Sequence, residues 1–282
     1  MGARAGGMRI ALLTLESALS AAAVLRLAEQ QAERIVLIGR SLPYRAAAGG
    51  MPGQMRAHWR RSGPRLLPYL LVNYGLPQAL GGLRRALGRG ALSGFARRRG
   101  IPLLAVEDVN GPAMAAALRA ARPDLILSFH FDQILRAEIL ALAPLGGINV
   151  HPSLLPRHRG PVPTLWAMRE TPPAFGVTVH RMVPRIDAGA ILAQQAMALP
   201  PGVTASTAAR LLHEAGAALL GPLLAALEAA AAPPAGRPQD LSQPGAPYCP
   251  FPSAGALREM AWQGQRTVGW EDLHAALAAP VG

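Results

Sequence analysis

The stretch Gly146-Gly147-Ile148-Asn149-Val150-His151-Pro152-Ser153-Leu154-Leu155-Pro156 decides how this chain is read. Gly147–Val150 is a short apolar run of the kind that forms a buried strand, and two prolines fix the exit from it. Asn149 and His151 stand two apart, so on a strand they face the same side. In an open α/β sheet the carboxyl ends of the strands are where ligands bind. A primary amide there can donate to a developing oxyanion, and an imidazole can move a proton near neutral pH. The same two residues would serve equally well as a turn cap and a buried, hydrogen-bonded histidine. The pair alone does not separate the two readings.

Outward from this stretch the chain alternates strands and helices. Ile10–Leu13 reads as a first strand, followed by an Ala-rich helical stretch, 17–30. Arg34–Gly39, Ile101–Val106 and Asp124–Phe129 are further strands, with Gly111–Ala121 a helix between the last two. This spacing predicts an α/β fold: a mostly parallel, twisted, Rossmann-like sheet with flanking helices. No G-x-G-x-x-G follows the first strand, so a dinucleotide site has no support. Phe175–Val183 and Ala190–Leu199 alternate and suggest a hairpin. Thr204–Ala230 reads as one long helix, capped by Thr204 or Ser206, with Leu211, Leu212, Ala215, Leu219, Leu223 and Leu227 as its apolar stripe and Pro233 and Pro234 ending it. The expected organisation is a catalytic domain over 1–231 and a short Pro/Gly-rich extension draped over it, 232–282.

Composition removes several chemistries. All 28 basic residues are Arg, so there is no P-loop lysine and no lysine for a Schiff base. Cys249 is the single cysteine, which fits a reducing cytoplasm. No uninterrupted apolar run approaches the roughly 20 residues of a membrane span, and Glu16 breaks the apolar start too early for a signal peptide. The net charge of +12 is local: 13 Arg and no acid lie between Glu33 and Glu107, while the remainder holds 15 Arg against 16 acids. Residues 41–100, where most of this charge falls, read as an insertion after the second strand, part loop and part amphipathic helix. Such a surface is either a solvated face or a contact for an anionic partner. No nucleic-acid-binding module surrounds it.

Asn149–Pro156, with Arg159-Gly160 and Pro163 after it, resembles the signature of the 10-formyltetrahydrofolate-dependent formyltransferases. Gly176–His180 and Ile186–Ile191 resemble that family's second block, and Ser128–Leu135 its folate-pocket strand and turn. The resemblance implies an enzyme that moves a formyl group from 10-formyltetrahydrofolate to an amine through a tetrahedral intermediate, without a metal. It implies that Asn149 holds the formyl oxygen, that His151 stabilises the oxyanion and relays the proton, and that Asp187 orients His151, raises its pKa and orders a water. It further implies a folate pocket lined by Gln133, Ile134 and Leu135 and by the loop carrying Met182, Val183 and Ile186, working largely through backbone groups.

The departures narrow the acceptor. Thr14-Leu15-Glu16-Ser17 is not the Gly/Ser-rich phosphate loop of the glycinamide ribonucleotide enzymes, and His130 and Asp132 stand where the family has small and apolar residues. About 50 residues follow the long helix, against a further RNA-binding domain in the methionyl-tRNA enzymes. The expected acceptor is therefore a small-molecule amine, nucleotide-linked or carrier-bound, in preference to tRNA. Hydrolysis of the folate and folate binding without catalysis are the rival readings within the family. A metal hydrolase built from His130, Asp132, His151, His158, His180 and Asp187 lacks any ligand spacing that supports it.

Overall fold

The computed structural model describes residues 7–42, 44–45, 49–230, 232, 235–242 and 248–282. The opening apolar run forms β1 (Ile10–Thr14), buried throughout, and the Ala-rich stretch forms α1 (Ala21–Gln30). β2 (Ile35–Ser41) lies parallel to β1. The chain then leaves the sheet for α2 (Gly50–Ser62), a 3-10 turn (Pro64–Leu66), α3 (Leu67–Leu70), a π turn (Leu71–Gly75), α4 (Leu76–Ala86) and α5 (Ala91–Arg99). It returns as β3 (Leu103–Val106), then α6 (Pro112–Ala121), β4 (Leu125–Phe129), α7 (Ala137–Leu140) and β5 (Gly147–His151). α8 (Pro163–Met168) precedes the hairpin of β6 (Phe175–Arg181) and β7 (Ile191–Met197), and α9 (Ala205–Ala230), α10 (Ala254–Trp262) and α11 (Trp270–Ala278) follow.

The seven strands form one sheet in the order β3-β2-β1-β4-β5-β6-β7. The first five are parallel; β6 and β7 are antiparallel. Alternate side chains go to opposite faces. Ile10, Leu12, Leu125, Leu127, Ile148 and Val150 pack with α1, α5 and α9, and Ala11, Leu13, Leu37 and Ile126 pack with α6 and α7. The strand order reverses between β1 and β4, which opens a crevice at their carboxyl ends, where open α/β sheets bind ligands.

Three sequence-based expectations need correction. Residues 50–99 are largely helical. The C-terminal extension contains two helices: α10 packs against α2, and α11 against α4. Buried Asp272 of α11 accepts hydrogen bonds from Thr204 at 2.7 Å and Thr207 at 2.8 Å and pairs with Arg210, which fixes that layer to the start of α9. The stripe on α9 is also rotated from its expected position. Leu212, Gly216, Leu220, Leu224 and Leu227 are buried, whereas Leu211, Ala215, Leu219 and Leu223 lie at its edges. Leucines occur on both sides of the stripe, so periodicity alone misplaced it by about one residue. Thr204 does cap this helix, accepting from Thr207 N–H at 3.0 Å. Pro233 and Pro234 lie outside the described residues. By length and composition α9 could cross a membrane, but here it lies against β5, β6 and β7.

Candidate active site

β5 carries Asn149 and His151 to the crevice, and antiparallel pairing sets His180 of β6 directly opposite Asn149. The amide of Asn149 is oriented from both ends. Its Oδ1 accepts from Ser128 Oγ of β4 at 2.8 Å, and its Nδ2 lies 3.1 Å from His180 Nε2. His180 donates from Nδ1 to the Arg181 carbonyl at 2.8 Å, which leaves Nε2 to accept from the amide. Asn149 retains one further N–H for another acceptor.

His151 is buried, with Nε2 3.1 Å from the His158 carbonyl. That bond fixes the tautomer of the neutral ring, placing the proton on Nε2 and the lone pair on Nδ1. Nδ1 points toward Asp187, with Oδ2 3.6 Å away. Asp187 Oδ2 also accepts the Gly160 N–H at 2.9 Å, and Oδ1 lies 3.5 Å from His180 Nε2. Asp187 adopts a left-handed backbone, φ 49°. Its loop folds back tightly because Gly189 follows: a Cβ there would sit 2.0 Å from the Arg181 carbonyl oxygen.

Burial dominates the protonation of His151 and pushes its pKa below the ordinary value. Asp187 and the His158 carbonyl oppose that shift, and His180 adds to it. The carboxylate therefore raises the pKa of His151 as expected, but the net shift is downward because desolvation outweighs it. Burial acts to raise Asp187. His151, His180 and the Gly160 N–H outweigh it and hold the carboxyl at about 2.

These groups line the floor of a cleft of about 450 Å³. Along one wall run Gln133, Ile134, Leu135, Met182, Val183 and Ile186, the expected folate-pocket residues. The Gln133 side chain is committed to Ser41 Oγ, the Val106 carbonyl and the Val109 N–H, and Asn110 holds the Ile134 carbonyl. That turn offers apolar surface and backbone edges, with Ile134 more than half exposed and Leu135 buried.

The opposite wall was not anticipated as a site. Tyr69 and Tyr74 come from the inserted helices, His213 from α9, and His130 from the end of β4. His130 has φ 53°, a conformation that favours glycine. Hydrogen bonds from its ring to Ser17 at 3.0 Å, Ser20 at 2.7 Å and Tyr74 at 3.3 Å hold it there. The exchange of a small residue for His130 was visible in the sequence, but its hydrogen-bond partners come from two distant segments. Asp132 turns away to Arg45 and Ser41. Among the described residues no three His, Cys, Asp or Glu side chains form a group that could hold a metal ion.

A family model described as Formyl transferase matches residues 84–223, a span that contains all of β3–β7 and every residue of the polar floor. The chain belongs to this family. Its fold is that of the formyltransferases, and it is a one-carbon group transferase. The chain is similar to glycinamide ribonucleotide transformylase 1 from Symbiobacterium toebii, at 20% identity and a TM-score of 0.52 over 78% of this chain and 87% of that one. It is also similar to a sugar N-formyltransferase from Shewanella sp FDAARGOS_354, at 18% identity and a TM-score of 0.52 over 97% and 88%. A sugar 3N-formyl transferase, WlaRD, studied with dTDP and 5-N-formyl-THF, matches at 14% identity and a TM-score of 0.52 over 87% and 70%. The Shewanella match takes in nearly all of this formyltransferase, including the inserted helices and the C-terminal layer.

Proposed function

We propose that this formyltransferase moves the formyl group of 10-formyltetrahydrofolate to a primary amine on a small or carrier-tethered molecule, with Asn149, His151 and Asp187 carrying the chemistry. The observation behind this reading is the convergence of an oriented amide, an unprotonated Nδ1 and a carboxylate at the floor of one cleft. The wall of Ile134, Leu135, Met182, Val183 and Ile186 fits the flat apolar face of a pterin, with backbone edges for its polar rim. The folate supplies the electrophilic formyl carbon. The remaining N–H of Asn149 is available to the oxygen on which negative charge develops. His151 Nδ1 takes the proton that the attacking amine loses, with Asp187 as counter-ion of the imidazolium, and hands it to the folate nitrogen as the bond from that nitrogen to the formyl carbon breaks and tetrahydrofolate leaves. Because the Nε2–H of His151 is committed to His158, this histidine assists the oxyanion only after Nδ1 is protonated. A water seated beside Nδ1 and Oδ2, bonded to both from the cleft side, would extend the relay.

Among acceptors, a nucleotide-linked amino sugar ranks first. In support, two of the similar structures are sugar N-formyltransferases. Glu16 argues against a ribonucleotide phosphate in the turn after β1, since its buried carboxylate lies there between Arg40 and Arg85. A cytoplasmic setting for this activity is supported by the lone Cys249, which has no second cysteine in this sequence to pair with. The test is a panel of amines supplied with 10-formyltetrahydrofolate, following tetrahydrofolate release and acceptor mass together. Release matched by a gain of one formyl mass on a small amine is the expected result. Release without any formylated product would make the chain a hydrolase, and activity on methionyl-tRNA alone would overturn the acceptor assignment.

A further inference from the structure

Thirteen arginines lie between Arg34 and Arg99 with no acid among them, and the fold divides them. Arg34 pairs with Glu228, Arg40 and Arg85 with Glu16, Arg45 with Asp132, and Arg99 with Glu33. Arg84 donates to the carbonyls of Leu277 and Ala279, and Arg97 to that of Gly88. Among the described residues, Arg56, Arg60, Arg61 and Arg65 are exposed and make no such contact. All four sit on α2 or the turn after it; Arg89 and Arg98 are the others left over.

The same helix displays apolar side chains. Met51, Met55 and Trp59, spaced i, i+4 and i+8, are 55%, 39% and 55% exposed. This spacing aligns them along one strip of α2, with Arg56 and Arg60 on the neighbouring strip. This strip borders the mouth of the cleft, where Met55 is a lining residue together with Gln54 and His58.

We propose that α2 lies in the plane of an anionic phospholipid surface. The Met51–Met55–Trp59 strip enters the interface, Arg56, Arg60, Arg61 and Arg65 meet headgroup phosphates, and the mouth of the cleft is brought to the headgroup layer. The charge alone would suit any polyanion. The apolar strip selects lipid, because a nucleic-acid backbone offers nothing to cover a methionine and a tryptophan, whereas a convex helix with both features is the usual form of an interfacial anchor. The inference stands on α2 and does not depend on the acceptor.

The test is sedimentation of the full chain with phosphatidylcholine vesicles, with and without phosphatidylglycerol, across a salt series. Binding to the phosphatidylglycerol vesicles alone, weakening as salt rises, is expected. Arg56→Gln with Arg60→Gln should lower that affinity about 25-fold, at about fivefold per arginine. Met51→Ser with Trp59→Ser should lower it about tenfold at unchanged charge. Arg89→Gln with Arg98→Gln removes the same charge away from α2 and should leave binding intact. Thermal melts of each variant separate these effects from loss of fold. No vesicle binding, equal losses in the control pair, or selective binding of a nucleic-acid duplex in place of vesicles would each overturn the proposal.

Discussion

His151 presents Nδ1 to Asp187 Oδ2 at 3.6 Å while its opposite ring nitrogen faces the His158 carbonyl at 3.1 Å. The backbone contact fixes which nitrogen can accept a proton, and the carboxylate fixes what that nitrogen meets once charged. Burial keeps the ring below its ordinary pKa, so near neutral pH it is a base in waiting.

His151→Ala should therefore lower formyl transfer by at least about two orders of magnitude, the usual contribution of a positioned acid–base group. Turnover under saturating folate, with a thermal melt alongside, decides the matter. A folded variant within threefold of the parent would remove His151 from the mechanism.

Asn149→Ala deletes an oriented donor, and losing one such donor to an oxyanion costs about a hundred- to a thousandfold in turnover. Ser128→Ala should cost less, since it releases the amide without deleting it. If Ser128→Ala proves as severe as Asn149→Ala, orientation and not donation is the limiting contribution.

Asp187→Asn tests the carboxylate through pH. Asp187 favours the imidazolium, so replacing it lowers the pKa of His151 further, and the acid limb of the pH–rate profile should move to lower pH while turnover falls. An unmoved limb would show that the two groups titrate independently.

His213 links stability to acid. Burial pushes its pKa down to about 4, against which its bond to the Ala209 carbonyl acts only partly, and the charge of His151 adds to the depression. The unfolded chain binds a proton near pH 6.5 and the folded chain resists it. Stability is thus full above pH 6.5 and is lost as pH falls toward 4, by about 3 kcal/mol over the whole interval. Urea unfolding should show about 2 kcal/mol less stability at pH 5 than at pH 7 from this residue. His213→Phe should flatten that slope; identical slopes would refute the assignment.

Glu16 is 4% exposed and neutralises Arg40 and Arg85. Glu16→Gln leaves two guanidinium groups without their counter-ion, at a cost of about 3–5 kcal/mol. A melting temperature within a degree or two of the parent would mean that solvent reaches those arginines.

The sheet was legible because its strands are short apolar runs punctuated by loops, and the polar floor because Asn149 and His151 share one strand. Asp187 was reachable only through the resemblance of Ile186–Ile191, since nothing local to it points at His151. His180 was present in the same block, yet its role depends on the antiparallel register that sets it against Asn149. The other wall was not legible. Asn73, buried on the π turn, donates to Ser206 at 2.7 Å and to the Tyr69 carbonyl at 2.9 Å, and contacts across 133 residues leave no periodic trace. The Pro/Gly content of the extension concealed α10 and α11, whose apolar faces are short and only make sense against α2 and α4.

The hydrogen bonds made by the side chains of Asn149, His151, His180 and Asp187 run between residues 128 and 187, from Ser128 through Asn149, His158 and Gly160 to His180, Arg181 and Asp187. Tyr69 and Tyr74 of the facing wall come from the segment between β2 and β3. Chemistry and fit are thus encoded in separate stretches of one chain. Exchanging residues 50–99 between relatives would reshape what the cleft admits without disturbing a single bond that aims Asn149 or Asp187. The fold is laid out for a change of customer with the workshop left standing.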